Sequence, residues 1–96
     1  MRLAYTMKLR PGKSDGYIES HRNVWPELTS AARACGIRNH SVFLQGDTLF
    51  LYLEADDPRQ SLENLATHKI KQEWDRFMTE FLCPDISECE EAFHTE

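Results

Sequence analysis

Apolar residues recur at a changing spacing along this chain, and the order of the changes restricts the folds that it can adopt. Between residues 2 and 10, Leu3, Tyr5, Met7 and Leu9 alternate with residues that are mostly polar. Alternation with a period of two is typical of a β-strand with one buried face. A proline and a glycine follow and end this first predicted strand.

The next segment has the spacing of a helix with one interruption. Either Ser14 or Asp15 can cap its free N–H groups, and Gly36 supplies a stop after Cys35. Pro26 removes the hydrogen bond to the carbonyl four residues earlier. The sequence therefore predicts either a kink at Pro26 or a new helix that starts there.

Two strands are predicted between residues 37 and 54. Residues 42–44 and 49–53 are apolar, and Gly46 and Asp47 lie between them. A glycine and an aspartate between two apolar runs favour a tight hairpin turn.

A second helical region and a short final strand complete the predicted elements. Asp57 caps this region, whose apolar stripes continue to Phe81 before Pro84 closes it. In the acidic tail, residues 87–95 alternate weakly between two faces, and we predict a strand there.

The resulting order, β-α-β-β-α-β, predicts a ferredoxin-like α+β fold. In that arrangement an antiparallel sheet carries both helical regions on one face. The second and third strands have apolar residues on both faces, so a second copy laid face to face would bury the other side of the sheet. We therefore expect a homodimer of the dimeric α/β-barrel type. No repeat or linker divides the chain, and residues 1–96 are expected to form a single domain.

Charge and composition exclude several classes of partner. The chain has 11 Lys and Arg against 16 Asp and Glu, a formal net charge of −5, and its basic residues are scattered. Nucleic acids and anionic membrane surfaces are therefore not expected partners, and no apolar stretch approaches the ~18 residues of a membrane span. Cys35, Cys83 and Cys89 are odd in number and lack CxxC spacing, which favours reduced thiols and a cytoplasmic location.

Common catalytic motifs are missing from the chain. It contains no GxGxxG, no GxxxxGK[ST], no HExxH and no GxSxG, and its four histidines are dispersed. We predict no metal site, no cofactor and no covalent catalysis.

The first helical region presents a row of functional side chains. At about 100° per residue, side chains four positions apart differ by only about 40°, so Tyr17, His21 and Trp25 share one helical face. These residues are either core packing with a satisfied histidine, or a sugar or polyol site in which rings cover apolar ligand faces. Periodicity alone does not choose between the two.

Three further residues have two possible roles each. Trp74 lies in an apolar stripe and is either core or one wall of a site, while Asp75 is either solvated or a ligand for sugar hydroxyls. His40 shares a strand face with Val42 and is either packed in the core or in contact with a ligand.

Four segments, in order along nearly the whole chain, form a distinctive pattern. They are Tyr17-x3-His21-x3-Trp25-Pro26-Glu27-Leu28, then Gly36 followed by Asn39, then Gln72-x-Trp74-x2-Phe77-Met78, and Ser87-Glu88-x2-Glu91-x-Phe93-His94. The pattern resembles the L-rhamnose mutarotase family. The resemblance implies a dimeric ferredoxin-like, cofactor-free enzyme that interconverts the α and β anomers of a 6-deoxy-L-hexose. It implies that His21 is the proton donor and that Tyr17 and Trp74 bind substrate.

The chain departs from this family at two positions. Enzymes of the family often have a tyrosine where this chain has His40 and a second tryptophan where it has Asp75. We expect both residues, together with Trp25, to contact a monosaccharide substrate, and L-fucose is an alternative to L-rhamnose. The base that assists His21 is left open between Asp75, His40, a residue of the last strand and water.

Two other functions are compatible with the predicted fold. One is a non-catalytic dimeric domain that binds a small ligand in the same cleft. The other is a dimeric ferredoxin-like monooxygenase, against which the Tyr/His/Trp-Pro-Glu-Leu element argues.

Overall fold

The computed structural model describes all 96 residues and contains four strands and four helices. In chain order the elements are β1 (Arg2–Leu9), α1 (Ser14–Arg22), α2 (Pro26–Ala34), β2 (Arg38–Gln45), β3 (Thr48–Glu54), α3 (Pro58–Ala66), α4 (Lys69–Met78) and β4 (Leu82–Glu88). The predicted β-α-β-β-α-β order is confirmed, with each helical region divided into two helices. No helix is both long enough and apolar enough to cross a bilayer.

Pro26 divides the first helical region instead of kinking it. Trp25 has extended backbone angles, φ −55° and ψ 123°, and Pro26 is the first residue of α2. This is the position where a missing backbone N–H is least costly. Helix α1 begins at Ser14, one of the two predicted starting residues, but Lys13 occupies the capping position without a side-chain hydrogen bond, so neither Ser14 nor Asp15 is the cap.

The second helical region divides where no proline or glycine marks a break. Asp57 caps α3 as predicted, accepting a hydrogen bond from the Gln60 N–H at 3.2 Å. At the end of α3, the Thr67 hydroxyl donates to the Asn64 carbonyl at 2.7 Å, a local bond that competes with continuation of the helix. His68 is then extended, with ψ 134°, and α4 starts afresh.

The four strands form one antiparallel sheet in the order β2-β3-β1-β4, with the helices covering one face. The ferredoxin-like prediction is confirmed. On the covered face, Leu49 and Leu53 are fully buried. Gly46 turns the β2–β3 hairpin with φ 61°, a conformation that glycine adopts without steric cost.

The opposite face of the sheet is uncovered and partly apolar. Phe43 and Phe50 are directly paired across β2 and β3, and their side chains are 64% and 42% exposed. The prediction that these two strands are apolar on both faces is thus reflected in the structure.

The prediction for the final strand is wrong. Strand β4 covers Leu82–Glu88 and pairs with β1, with Ile86 opposite Met7, while the segment 89–96 has no regular structure. Pro84, expected to close a helix, lies inside this strand. Since β4 is at the sheet edge and its register with β1 shifts beside the proline, the missing N–H costs no ladder bond in the interior of the sheet.

Candidate functional site

A cavity of about 1040 Å³ lies between the covered face of the sheet and the helices α1, α2 and α4. Of the six predicted site residues, five line it: Tyr17, His21, His40, Trp74 and Asp75. A smaller concavity of about 460 Å³ is lined by Glu27, His68 and Glu73 among others and contains none of the six. The larger cavity is therefore the candidate site.

Trp25 does not line the cavity. Since α1 ends at Arg22, the predicted continuous face of Tyr17, His21 and Trp25 stops after His21. The Trp25 ring instead packs edge-on against Trp74, with centroids 4.9 Å apart, and is stacked on Phe77 at 5.7 Å. Trp25 thus supports the cavity wall from behind.

The first helix places Tyr17 and His21 one turn apart, as the spacing predicted. Their rings are stacked with centroids 4.1 Å apart. Tyr17 is only 5% exposed, and the His21 ring also meets the edge of Trp74 at 5.3 Å. Aromatic contacts on two sides fix the plane of the imidazole.

Hydrogen bonds fix which nitrogen of His21 is available. Its Nδ1 lies 3.0 Å from the Tyr17 carbonyl oxygen and 2.9 Å from Ser20 Oγ, whose own hydroxyl donates to that carbonyl at 2.7 Å. A proton on Nδ1 satisfies this arrangement, so the neutral imidazole has its lone pair on Nε2. Nε2 is therefore the atom that can exchange a proton with a ligand.

Burial tunes the acidity of His21. Removal from water lowers the pKa of His21 below its usual value, and the hydrogen bond to the Tyr17 carbonyl partly offsets that effect. Burial disfavours the charged imidazolium. The neutral form dominates at neutral pH, and the cation, when it forms, is a stronger acid than a free imidazolium.

Tyr5 is a cavity residue that the sequence analysis did not single out. It lines the cavity from β1 and is half-buried. Burial raises the pKa of Tyr17 to about 12, with a further contribution from Tyr5. Burial, followed by the charge of Asp75, also raises the pKa of Tyr5. Both phenols are thus protonated at neutral pH and can donate hydrogen bonds.

A local irregularity of β2 places His40. The register between β2 and β3 shifts between Arg38 and Ser41, and Asn39 has a positive φ of 52°. Bulges of this kind redirect side chains next to functional sites. Burial, followed by the charges of Lys71 and His21, lowers the pKa of His40, so His40 is neutral at neutral pH.

Lys71 is another cavity residue that was not predicted from the sequence. It forms an ion pair with Asp75 one turn later on α4. Lys71 is more enclosed than its partner, with 26% of its side chain exposed against 55% for Asp75. The i, i+4 spacing of the pair was visible in the sequence, but its place beside His40 was not.

Six of the titratable side chains that line the cavity are linked in succession by ring contact, ion pairing or the effect of one group's charge on the next. We call them the polar ring, and in order they are Tyr5, Tyr17, His21, His40, Lys71 and Asp75. Together with the indole of Trp74, the polar ring combines an aromatic surface with hydrogen-bond donors, acceptors and two neutral imidazoles. No group of three or more His, Cys, Asp or Glu side chains is arranged to hold a metal ion. The arrangement suits a small hydroxylated ring and a proton transfer.

Known proteins resemble this chain in both sequence and fold. The family model described as L-rhamnose mutarotase matches residues 2–95. An L-rhamnose mutarotase of Burkholderia orbicola is 35% identical over 101 aligned residues, covering 98% of this chain and 97% of that protein. The crystal structure of an L-rhamnose mutarotase from Formosa agariphila has a TM-score of 0.88 at 30% identity, covering 100% of this chain and 99% of that one.

An antibiotic biosynthesis monooxygenase shares the fold more distantly. Its crystal structure has a TM-score of 0.66 at 13% identity and covers 97% of this chain and 98% of that one. At that identity the likeness concerns the fold alone.

Proposed function

The chain belongs to the L-rhamnose mutarotase family, and from that premise we propose that its cavity binds L-rhamnose and that His21 transfers the proton that opens the sugar ring. Enzymes of this kind are isomerases that interconvert anomers. The observation that carries the role of His21 is the contact of its Nδ1 with the Tyr17 carbonyl, which leaves Nε2 to the cavity.

Anomer exchange requires two proton transfers and no redox change. A proton moves from His21 Nε2 to the ring oxygen of the sugar while a base takes the proton of the anomeric hydroxyl. The bond between the anomeric carbon and the ring oxygen breaks, and an aldehyde forms. Rotation about one carbon–carbon bond and the reverse transfers close the ring as the other anomer.

The imidazolium form of His21 is the proton donor in this scheme. Because Nδ1–H is engaged by the Tyr17 carbonyl, a proton is present on Nε2 only in the cation. The lowered pKa of His21 reduces the population of that cation but makes each one a better acid. A positioned acid or base of this kind typically contributes about 10² to 10⁴-fold to the rate.

Two members of the polar ring can serve as the assisting base. Asp75 carries a carboxylate that Lys71 holds in place. His40 is neutral, because burial lowers its pKa, and so has a lone pair to accept a proton. Asp75→Asn and His40→Asn separate the two, since only the variant that lacks the base loses kcat.

The identity of the bound deoxy sugar depends on the polar side chains of His40 and Asp75. L-Rhamnose and L-fucose differ only in the configuration of ring hydroxyls, and His40 and Asp75 supply polar contacts where related enzymes often have aromatic rings. Measuring both sugars with wild-type protein assigns the substrate.

The direct test is anomer exchange of L-rhamnose followed by saturation-transfer NMR. We expect wild-type protein to accelerate exchange and His21→Ala to lose about 10² to 10⁴-fold of that acceleration. His68→Ala, which removes an exposed histidine that does not line this cavity, is the matched control and should exchange normally. A folded His21→Ala variant that exchanges as fast as wild type overturns the role of His21. Sugar binding by calorimetry without any accelerated exchange by wild type would instead indicate the non-catalytic binding domain.

The proposal includes a homodimer formed through the uncovered sheet face, with residues 1–96 acting as one domain in the cytoplasm. The exposed pair of Phe43 and Phe50 supports that interface, and three free cysteines suit a reducing compartment. Phe43→Asp should yield monomers in sedimentation equilibrium. Phe93→Asp, in the irregular tail, should not, and equal behaviour of both variants contradicts this interface.

A further inference from the structure

Tyr5 and Lys71 belong to the polar ring but do not themselves exchange a proton in the transfer described above. Tyr5 extends from β1 into the cavity, and Lys71 faces the same cavity from α4. Neither residue belongs to the sequence pattern that resembles the mutarotase family. Their positions therefore call for a separate physical explanation.

The hydroxyl of Tyr5 lacks a protein partner. The pKa of Tyr5 is raised by burial and by the charge of Asp75, and no hydrogen bond to a protein group contributes to the shift. By contrast, the hydroxyl of Tyr52 on the other face of the sheet donates to Glu54 Oε2 at 2.7 Å. A half-buried hydroxyl without a partner weakens a fold unless a ligand or water completes it. The Tyr5 hydroxyl is thus a free donor directed to the contents of the cavity.

Lys71 holds Asp75 beside that donor. The ammonium group of Lys71 contacts Asp75 Oδ1, which leaves Oδ2 free to accept a hydrogen bond. Because Lys71 is mostly enclosed, its position fixes the carboxylate more firmly than an exposed lysine would. A donor on Tyr5 and an acceptor on Asp75 thus line the same cavity, near enough for the Asp75 charge to raise the pKa of Tyr5.

This donor–acceptor pair does not contact the proton-transferring residue. The hydrogen bonds and ring contacts of the His21 side chain are with Tyr17, Ser20 and Trp74 and include neither Tyr5 nor Asp75. A sugar whose ring oxygen meets His21 would therefore place a different hydroxyl against Tyr5 and Asp75. Groups that hydrogen-bond a substrate hydroxyl discriminate strongly against analogues that lack it.

We propose that Tyr5 and the Lys71–Asp75 ion pair form a specificity edge that hydrogen-bonds one hydroxyl of the sugar, with Tyr5 donating, Asp75 accepting and Lys71 positioning the carboxylate. In this assignment Asp75 binds substrate and His40 is the assisting base. This inference rests on the proposed function. It assigns Tyr5 to substrate selection, so its loss affects binding of the sugar and leaves the proton transfer at His21 intact.

The test compares Tyr5→Phe with wild type on L-rhamnose and on its 2-deoxy, 3-deoxy and 4-deoxy analogues, again by NMR of anomer exchange. On L-rhamnose, Tyr5→Phe should raise KM by about 3- to 10-fold, the effect of losing one uncharged hydrogen bond, with kcat unchanged. On the analogue that lacks the hydroxyl in question, the same substitution should have no effect. Tyr52→Phe, which removes a hydroxyl from the opposite face, is the matched control.

Lys71 is tested as a positioning residue by two substitutions. Lys71→Met should raise KM with the same dependence on the sugar hydroxyl as Tyr5→Phe, whereas Lys71→Arg should restore it. A loss of kcat at constant KM would not fit this role and would overturn it.

The outcomes distinguish this inference from the function on which it rests. If wild type accelerates exchange but the Tyr5→Phe penalty is absent, or equal on all four sugars, the specificity edge is wrong and the mutarotase function stands. If wild type accelerates exchange of no sugar, both are wrong.

Discussion

The dependence of catalysis on the His21 cation makes the pH profile the most informative experiment on this protein. Burial lowers the pKa of His21 below 6.5, although the Tyr17 carbonyl opposes the shift. With a pKa below 6.5, at most about one-tenth of the molecules carry the imidazolium at pH 7.5, and that fraction falls about tenfold for each further pH unit. Since kcat/KM reports the free enzyme, it should fall by about tenfold per unit between pH 7.5 and 9.

The assay measures anomer exchange of L-rhamnose from pH 6 to 9, after subtraction of the spontaneous exchange at each pH. The pKa of His21 is obtained separately from its imidazole proton resonances. It should lie below 6.5 and coincide with the pKa that governs kcat/KM. Replacing His40 by asparagine removes the other imidazole that lines the cavity and should leave the decrease of kcat/KM between pH 7.5 and 9 unchanged.

One result would refute the reasoning. If kcat/KM is constant or rises from pH 6 to 9, the imidazolium is not the donor, and the neutral Nε2 of His21 acts as the base on the anomeric hydroxyl. The hydrogen bond between Nδ1 and the Tyr17 carbonyl is compatible with that role too, so the slope of the profile decides between the two.

Three further predictions concern stability. The pKa values of His21 and His40 are lowered in the folded state, so the unfolded chain binds more protons than the folded chain below about pH 6.5. The free energy of unfolding should therefore decrease as the pH falls through that range. Urea unfolding midpoints at pH 7.5 and 5.5 measure this decrease, and an unchanged midpoint contradicts it. Leu53→Ala leaves a cavity at a fully buried position and should lower the free energy of unfolding, measured in urea, by about 2–5 kcal/mol. Asp57→Ala removes the side chain that accepts the hydrogen bond of the Gln60 N–H and should lower the free energy of unfolding by about 1 kcal/mol. Asp57→Asn keeps a capping oxygen and should retain most of that stability.

The sequence by itself determined the features that depend on neighbours within a few residues. Alternation predicted β1, the glycine at position 46 predicted the hairpin turn, and the spacing of Tyr17 and His21 predicted that they share one helical face, where their rings are stacked. Such features follow from the geometry of one helix or one strand pair, which a local pattern records directly. The element order then sufficed for the ferredoxin-like fold.

Other features required the tertiary structure because they depend on contacts between distant segments. The sequence placed the last strand too far along the chain because the position of β4 is set by pairing with β1, whose residues lie some eighty positions earlier. A proline within β4 also hides the strand pattern. Trp25 does not line the cavity because the helix is interrupted between α1 and α2. Its ring instead packs against Trp74 and Phe77.

The polar ring is the clearest case of a feature that only the fold decided. Tyr5 alternates along β1 like any core residue, and Lys71 has the spacing of an ordinary surface ion pair. Neither pattern records that β1 and α4 face each other across one cavity. The sequence determined which side chains face inward from each element, and the packing of helices on the sheet decided which of them meet, because proximity between separate elements is set by the whole core.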